Sequence, residues 1–136
     1  MTQRTLDTDV RREQLVFDEA VDWDDQFGGI KRFKDLPPET ARALIDENYV
    51  DPDGGQNRSP TMDTLVTEAE QFDSEHVTAG LNGYIVSPDR HDARISFEGI
   101  QIRGNLSMDE VTAFTNQFGG ADELTTSASK CRAWWD

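Results

Sequence analysis

The chain has 136 residues and carries 27 Asp and Glu against 13 Lys and Arg, a formal net charge of −14. That length suits one domain, since two would each be short of core. No apolar run approaches the ~20 residues of a membrane span, and the lone cysteine, Cys131, excludes an internal disulfide framework.

Taken in chain order, residues 1–8 have no apolar face and read as a flexible arm, leaving 9–136 as a single domain. Residues 9–26 fit a helix with Val10, Gln14, Phe17 and Val21 on one face, stopped by Gly28-Gly29; Leu15, Phe17, Val21 and Trp23 also fit a strand, but Glu19 would then point inward. Residues 27–37 read as a loop anchored by Phe27 and Phe33. A helix over 38–48 follows, with Pro38 in its first turn and Ala41, Leu44 and Ile45 as its apolar stripe. Ser59-Pro60 reads as the start of a further helix over 60–72, with Met62, Leu65, Val66, Ala69 and Phe72 inward.

The period then changes from 3.6 to 2. Val77, Ala79, Leu81, Gly83 and Ile85 alternate along a strand, a turn follows at 88–92, and Ile95 and Phe97 resume the same face. Ile100 and Ile102 are out of phase with that pair by one residue, so Glu98-Gly99 predicts a β-bulge. Ser107 with Glu110 three residues on reads as a capping box for a helix with Val111, Phe114 and Phe118 inward. Residues 123–135 read as a third strand. The expected fold is α+β: a three-stranded, mainly antiparallel sheet, made of the hairpin 76–103 and the strand 123–135, with three to four helices on one face. A conventional crossover would set the third strand beside the first, parallel to the second, in the order 2-1-3.

The acid excess comprises 17 Asp and 10 Glu, against 10 Arg and only 3 Lys. Twelve aromatic residues and several periodic apolar segments separate this chain from a disordered acidic one. Together with the C-terminal Arg132-Ala133-Trp134-Trp135-Asp136 and the Tyr84-Ile85-Val86-Ser87-Pro88 turn, this composition resembles that of uncharacterised small acidic proteins of salt-in haloarchaea. The resemblance implies a high-salt cytoplasm and no particular activity. An N-terminus lacking the basic-then-apolar order of a signal peptide, and a single thiol, agree with a cytoplasmic expectation.

Motifs for chemistry are sparse. Asp51-Pro52-Asp53-Gly54-Gly55 begins like a calcium loop, but Gln56 and Met62 stand where Gly and Glu are needed, so it reads as a helix-stop turn. Asp22, Asp24 and Asp25 read as a solvated acidic face. His76, His91 and Cys131 lack metal-ligand spacing, and neither a phosphate loop nor a nucleophile elbow occurs. No catalytic residue, metal or cofactor is therefore assigned.

The positive residues are better organised. If Ile95, Phe97, Ile100 and Ile102 face inward, then Arg94, Gln101 and Arg103 face outward, and Lys130 and Arg132 share a face of the third strand. Of Trp134 and Trp135, one belongs in the core and the other outside. These seven residues form the expected partner-binding surface, facing an unknown protein or a second copy of the chain. The competing reading is that the bases pair with local acids such as Glu98 and Glu123.

Three functions compete. The first is a non-enzymatic interaction or regulatory module. The second is a winged-helix-like DNA-binding regulator built from helices 38–48 and 60–72 with hairpin 76–103. Against it stand the ten or so residues between the helices and a second helix bearing Asp63, Glu68 and Glu70 but no base, where phosphates need Lys or Arg. The third is a small enzyme with a dispersed carboxylate or Cys site. If the acids serve solvation in brine, salt must relieve their mutual repulsion, since the Debye length falls to about 3 Å at 1 M. The melting temperature followed by circular dichroism is therefore expected to rise steadily from dilute buffer to molar KCl. An unmoved midpoint would refute the halophilic expectation.

Overall fold

A computed structural model describes residues 6–136, with side chains described from Val10 onward. The chain folds as α+β, with four α-helices among the described residues against one face of an open five-stranded antiparallel sheet. The helices are α1 (Leu6–Phe17), α2 (Pro38–Asp46), α3 (Met62–Phe72) and α4 (Met108–Phe118). The strands are β1 (Ile30–Leu36), β2 (Val77–Val86), β3 (Ile95–Gly104), β4 (Glu123–Thr126) and β5 (Lys130–Trp134), in the spatial order β1-β2-β3-β5-β4. No helix among the described residues is long and apolar enough to cross a membrane.

The central hairpin follows the alternation of its sequence. Val77, Ala79, Leu81 and Ile85 are buried on one face of β2. In the register with β3, Asn82 stands opposite Gly99 and Gly83 opposite Phe97, so Glu98 is the extra residue of a bulge. The bulge restores phase: Ile95, Phe97, Ile100 and Ile102 all lie in one apolar core.

Two strands more than expected are present. Residues 30–36, expected as loop, form β1, because backbone pairing with β2 outweighs a weak apolar pattern. Only Phe33 and Leu36 of β1 are buried, three residues apart across a register shift where Asp35 adopts φ 56, so no period of two is legible. Phe27 anchors nothing and is fully exposed. Residues 123–135 are not one strand but a hairpin, turning at 127–129, where the Ser127 hydroxyl accepts from the N–H groups of Ser129 and Lys130.

That hairpin also corrects the order 2-1-3. β5 lies beside β3 and antiparallel to it, with β4 outside. The crossover through α4 does join strands of like direction, β3 and β4, but β5 sits between them.

The helices seat on the apolar face. In α2, Ala41 and Leu44 are buried; in α3, Met62, Leu65, Val66 and Ala69 are. The α3 cap is Thr61, whose hydroxyl accepts from Thr64 N–H, and not Ser59, which instead accepts from Gln56 N–H. Arg42 bridges α2 to α3 through Asp63 and Glu70 at 2.6 and 2.8 Å. The capping box at Ser107 and Glu110 is formed, and Phe114 and Phe118 stack in edge fashion onto the core, Phe118 against Trp135 at 5.8 Å. The segment 9–26 is only part helix. α1 ends at Phe17, and Asp18 turns the chain with φ 65. Its most buried described residues are charged: Glu13 accepts from Val21 N–H and the Trp23 indole, and Arg12 donates to the Val86 carbonyl at 2.8 Å. Residues 1–5 of the expected arm lie outside the described residues.

Phe118→Ala is expected to cost about 3–5 kcal/mol in denaturant melts by opening a cavity among Phe114, Trp135 and the sheet. Phe27→Ala should stay within ~0.5 kcal/mol of wild type.

Candidate functional site

The sheet face turned away from the helices carries the polar half of each strand. The register sets Thr78, Arg103 and Lys130 in one row, and Gly80, Gln101, Arg132 and Thr125 in the next. Asn82, Gly99, Trp134 and Glu123 form a third row, and Arg32 and Tyr84 a fourth with Ser96. Gln101, Arg103, Lys130 and Arg132 thus meet on one face, as their spacing predicts, and Trp134 is the tryptophan of the pair that joins them. Arg94 joins them at the end of β3, where it donates to the Tyr84 hydroxyl at 3.1 Å. Trp135 does not belong to this surface. It is 2 % exposed, packed beneath α4, because adjacent strand residues point to opposite faces.

Long side chains rise around the middle of the face and leave a groove of about 370 Å³. Arg32 and Lys34 of β1 border it on one side, and Lys130, Arg132 and Trp134 of β5 on the other. Its floor holds Asn82 and Gln101, each 8 % exposed, with the Asn82 amide donating to Gln101 Oε1 at 3.2 Å. Asn82 in turn accepts from Asp35 N–H, which fixes the bulge of β1. The Trp134 ring lies over Gly99, where a Cβ would press within 2.8 Å of the Ala133 carbonyl.

Several bases are paired, as the competing reading holds. Arg32 binds Glu98, the residue expelled by the bulge. Arg103 meets Asp35 at 2.6 Å, Arg132 lies 3.7 Å from Glu123, and Arg94 pairs with Asp92 at 3.3 Å. Lys34 and Lys130 have no ion-pair partner among the described residues. The groove therefore holds four bases against two acids on a chain that is strongly negative elsewhere. Asn82 of β2 and Glu98 of β3 were not placed on the sequence-derived surface; Arg32 and Lys34 were missing from it because β1 was not expected as a strand. The Arg32-Phe33-Lys34 alternation around a buried Phe is the signal that points to them.

A larger cleft, about 840 Å³, lies beyond the end of the groove, where the 51–56 loop crosses the sheet. Gln56 donates to Ser96 Oγ at 2.6 Å and to the Tyr84 hydroxyl at 3.4 Å. Tyr84 is flanked by two guanidinium groups, Arg94 at 5.5 Å and Arg32 at 5.8 Å from its ring. Burial alone would push this phenol up. Hydrogen bonds with Gln56, Arg94 and Ser96, and the Arg94 charge, outweigh burial and leave it below the ordinary value.

The remaining candidates are structural. Asp22 caps a short turn through Asp24 N–H, and Asp51 accepts from Asp53 N–H within its own turn. No cluster of three His, Cys, Asp or Glu side chains arises among the described residues. Cys131 is buried beside the Ser127 carbonyl, and burial raises its thiol. His76 lies 3.7 Å from Glu110, and neither histidine lines the groove or the cleft.

In a Tyr49→Phe background, near-UV absorbance should record Tyr84 ionising below the ordinary phenol pKa of about 10. Arg94→Ala should move that ionisation upward. The native phenol is the stronger acid, so its stabilising contribution is complete above the unfolded pKa and is lost as pH falls through the native one. Compared with known proteins, the chain matches no family model, no curated sequence and no solved structure.

Proposed function

We propose that this chain is a non-catalytic binding module, suited to a high-salt cytoplasm, that meets its partner with the helix-free face of its sheet. The observation that carries this reading is the reversal of charge. Four bases and two acids line the groove on a chain with a net charge of −14. A positive island on a negative molecule selects what approaches it. Trp134 and Arg132 add side chains of the kind that dominate interface energetics.

The winged-helix reading loses weight on topology. The β2–β3 hairpin is the centre of the sheet, flanked by β1 and β5, and does not project as a wing. The outward side of α3 carries Asp63 and Glu70, both held by Arg42. The enzyme reading draws no support from His76, His91 or Cys131, which line neither the groove nor the cleft.

Affinity capture from a haloarchaeal extract in molar KCl tests the module. The wild-type chain should retain a defined protein that a Trp134→Ala, Arg132→Glu variant does not. Thr112→Lys on the exposed side of α4 should leave capture intact. Equal capture by all three chains would overturn the proposal.

A further inference from the structure

We infer that the groove receives an extended acidic segment of a partner protein, whose carboxylates pair with Lys34 and Lys130 over the amide of Gln101. The inference rests on the binding-module reading and adds the chemistry of the ligand.

A census of donors and acceptors leads there. Both groove acids are already engaged, Glu98 by Arg32 and Glu123 by Arg132. What is left over donates. Lys34 and Lys130 have no ion pair among the described residues, and an ammonium offers three donors and no acceptor. On the floor, Gln101 uses its Oε1 to accept from Asn82, while its Nε2 has no hydrogen-bond partner among the described residues. Although the residue is only 8 % exposed, that nitrogen is open to the groove and can donate to an acceptor brought there. A group that brings acceptor oxygens and negative charge fits this set, and a carboxylate does both.

Shape and surroundings select the bearer of that carboxylate. β1 and β5 are three strand spacings apart, about 14 Å. The trough between their side chains suits a single extended strand. It is open on its outer side, whereas small-molecule sites enclose roughly 70–90 % of their ligand. A nucleic-acid strand carries a charge at every nucleotide and needs a continuous run of bases. Here the positive zone is short: Asp122, Glu123 and Asp136 outnumber Arg58 beside Trp134 at one end, and Asp35 neutralises Arg103 at the other. In concentrated salt only contact pairs retain their attraction, because charges farther apart than about 3 Å at 1 M are screened. Direct lysine–carboxylate pairs over a low-exposure floor meet that condition, with Trp134 as an apolar wall.

Fluorescence anisotropy tests this, in the lowest KCl concentration that keeps the far-UV circular dichroism of the fold intact. The probe is a fluorescein-labelled peptide of alternating Glu and Thr, which favours an extended chain. The peptide with Gln in place of Glu is expected to bind at least tenfold more weakly. Lys34→Glu with Lys130→Glu should weaken the Glu peptide at least tenfold, and Lys34→Gln with Lys130→Gln by a smaller factor. All four substitutions lie at exposed positions, so circular dichroism should match wild type. Equal binding of both peptides, or no response to either double variant, overturns the inference. So does tighter binding of an oligo-dT of equal charge, or full displacement by succinate at equal carboxylate concentration. Failure here with Trp134-dependent capture intact removes only the acidic ligand. Failure of both removes the module itself.

Discussion

One inserted residue in β3 governs both faces of the sheet. Without the bulge at Glu98, with that residue held in a regular pleat, Ile95 and Phe97 would face one way and Ile100 and Ile102 the other, and half of β3 would put isoleucines into water. With it, all four join the core against α3, and the Glu98 carboxylate is thrown to the opposite face, where Arg32 of β1 engages it. The same kink brings Gly83 beneath the Phe33 ring, so close that a Cβ there would collide with the Ser96 carbonyl oxygen. Core and groove are thus two consequences of one irregularity.

Elements with a strong apolar period were readable in the sequence. The β2–β3 hairpin, its bulge, α2, α3 and the capping box of α4 all carry local signals that agree with their tertiary environment. β1 and the β4–β5 hairpin were not. β4 is exposed but for a half-buried Leu124, β1 buries only Phe33 and Leu36, and β5 is five residues long, so none carries a sustained period of two. The parity of Trp134 and Trp135 was legible as a rule but not in its sense, which depends on where α4 lands. The site was legible by half. Alternation grouped Gln101, Arg103, Lys130 and Arg132, but Arg32 and Glu98 are 66 residues apart and only the fold brings them together.

Arginine and lysine are used differently. Arginines such as Arg11, Arg42, Arg90 and Arg103 are held by carboxylates, several through two nitrogens, where the planar fork of the guanidinium suits a carboxylate. Lys31 instead lies over the Phe17 ring at 4.4 Å, and Lys34 and Lys130 border the groove. With three lysines in the chain, two of them at one groove concentrate this scarce residue where flexible, unshared charge is available.

The placement of β5 has a kinetic consequence. β5 is wedged between β3 and β4, so the strands joined through α4 cannot touch each other and must wait for a segment that is translated after both. On the ribosome, the hairpin and α3 can collapse early, yet the apolar edge of β3 stays uncovered until residues 130–135 emerge from the exit tunnel. Nascent chains paused before that point display β3 with one edge unpaired, the kind of edge that recruits foreign strands. The step that closes the native state is therefore the long-range docking of β5, a slow class of event among sheet proteins.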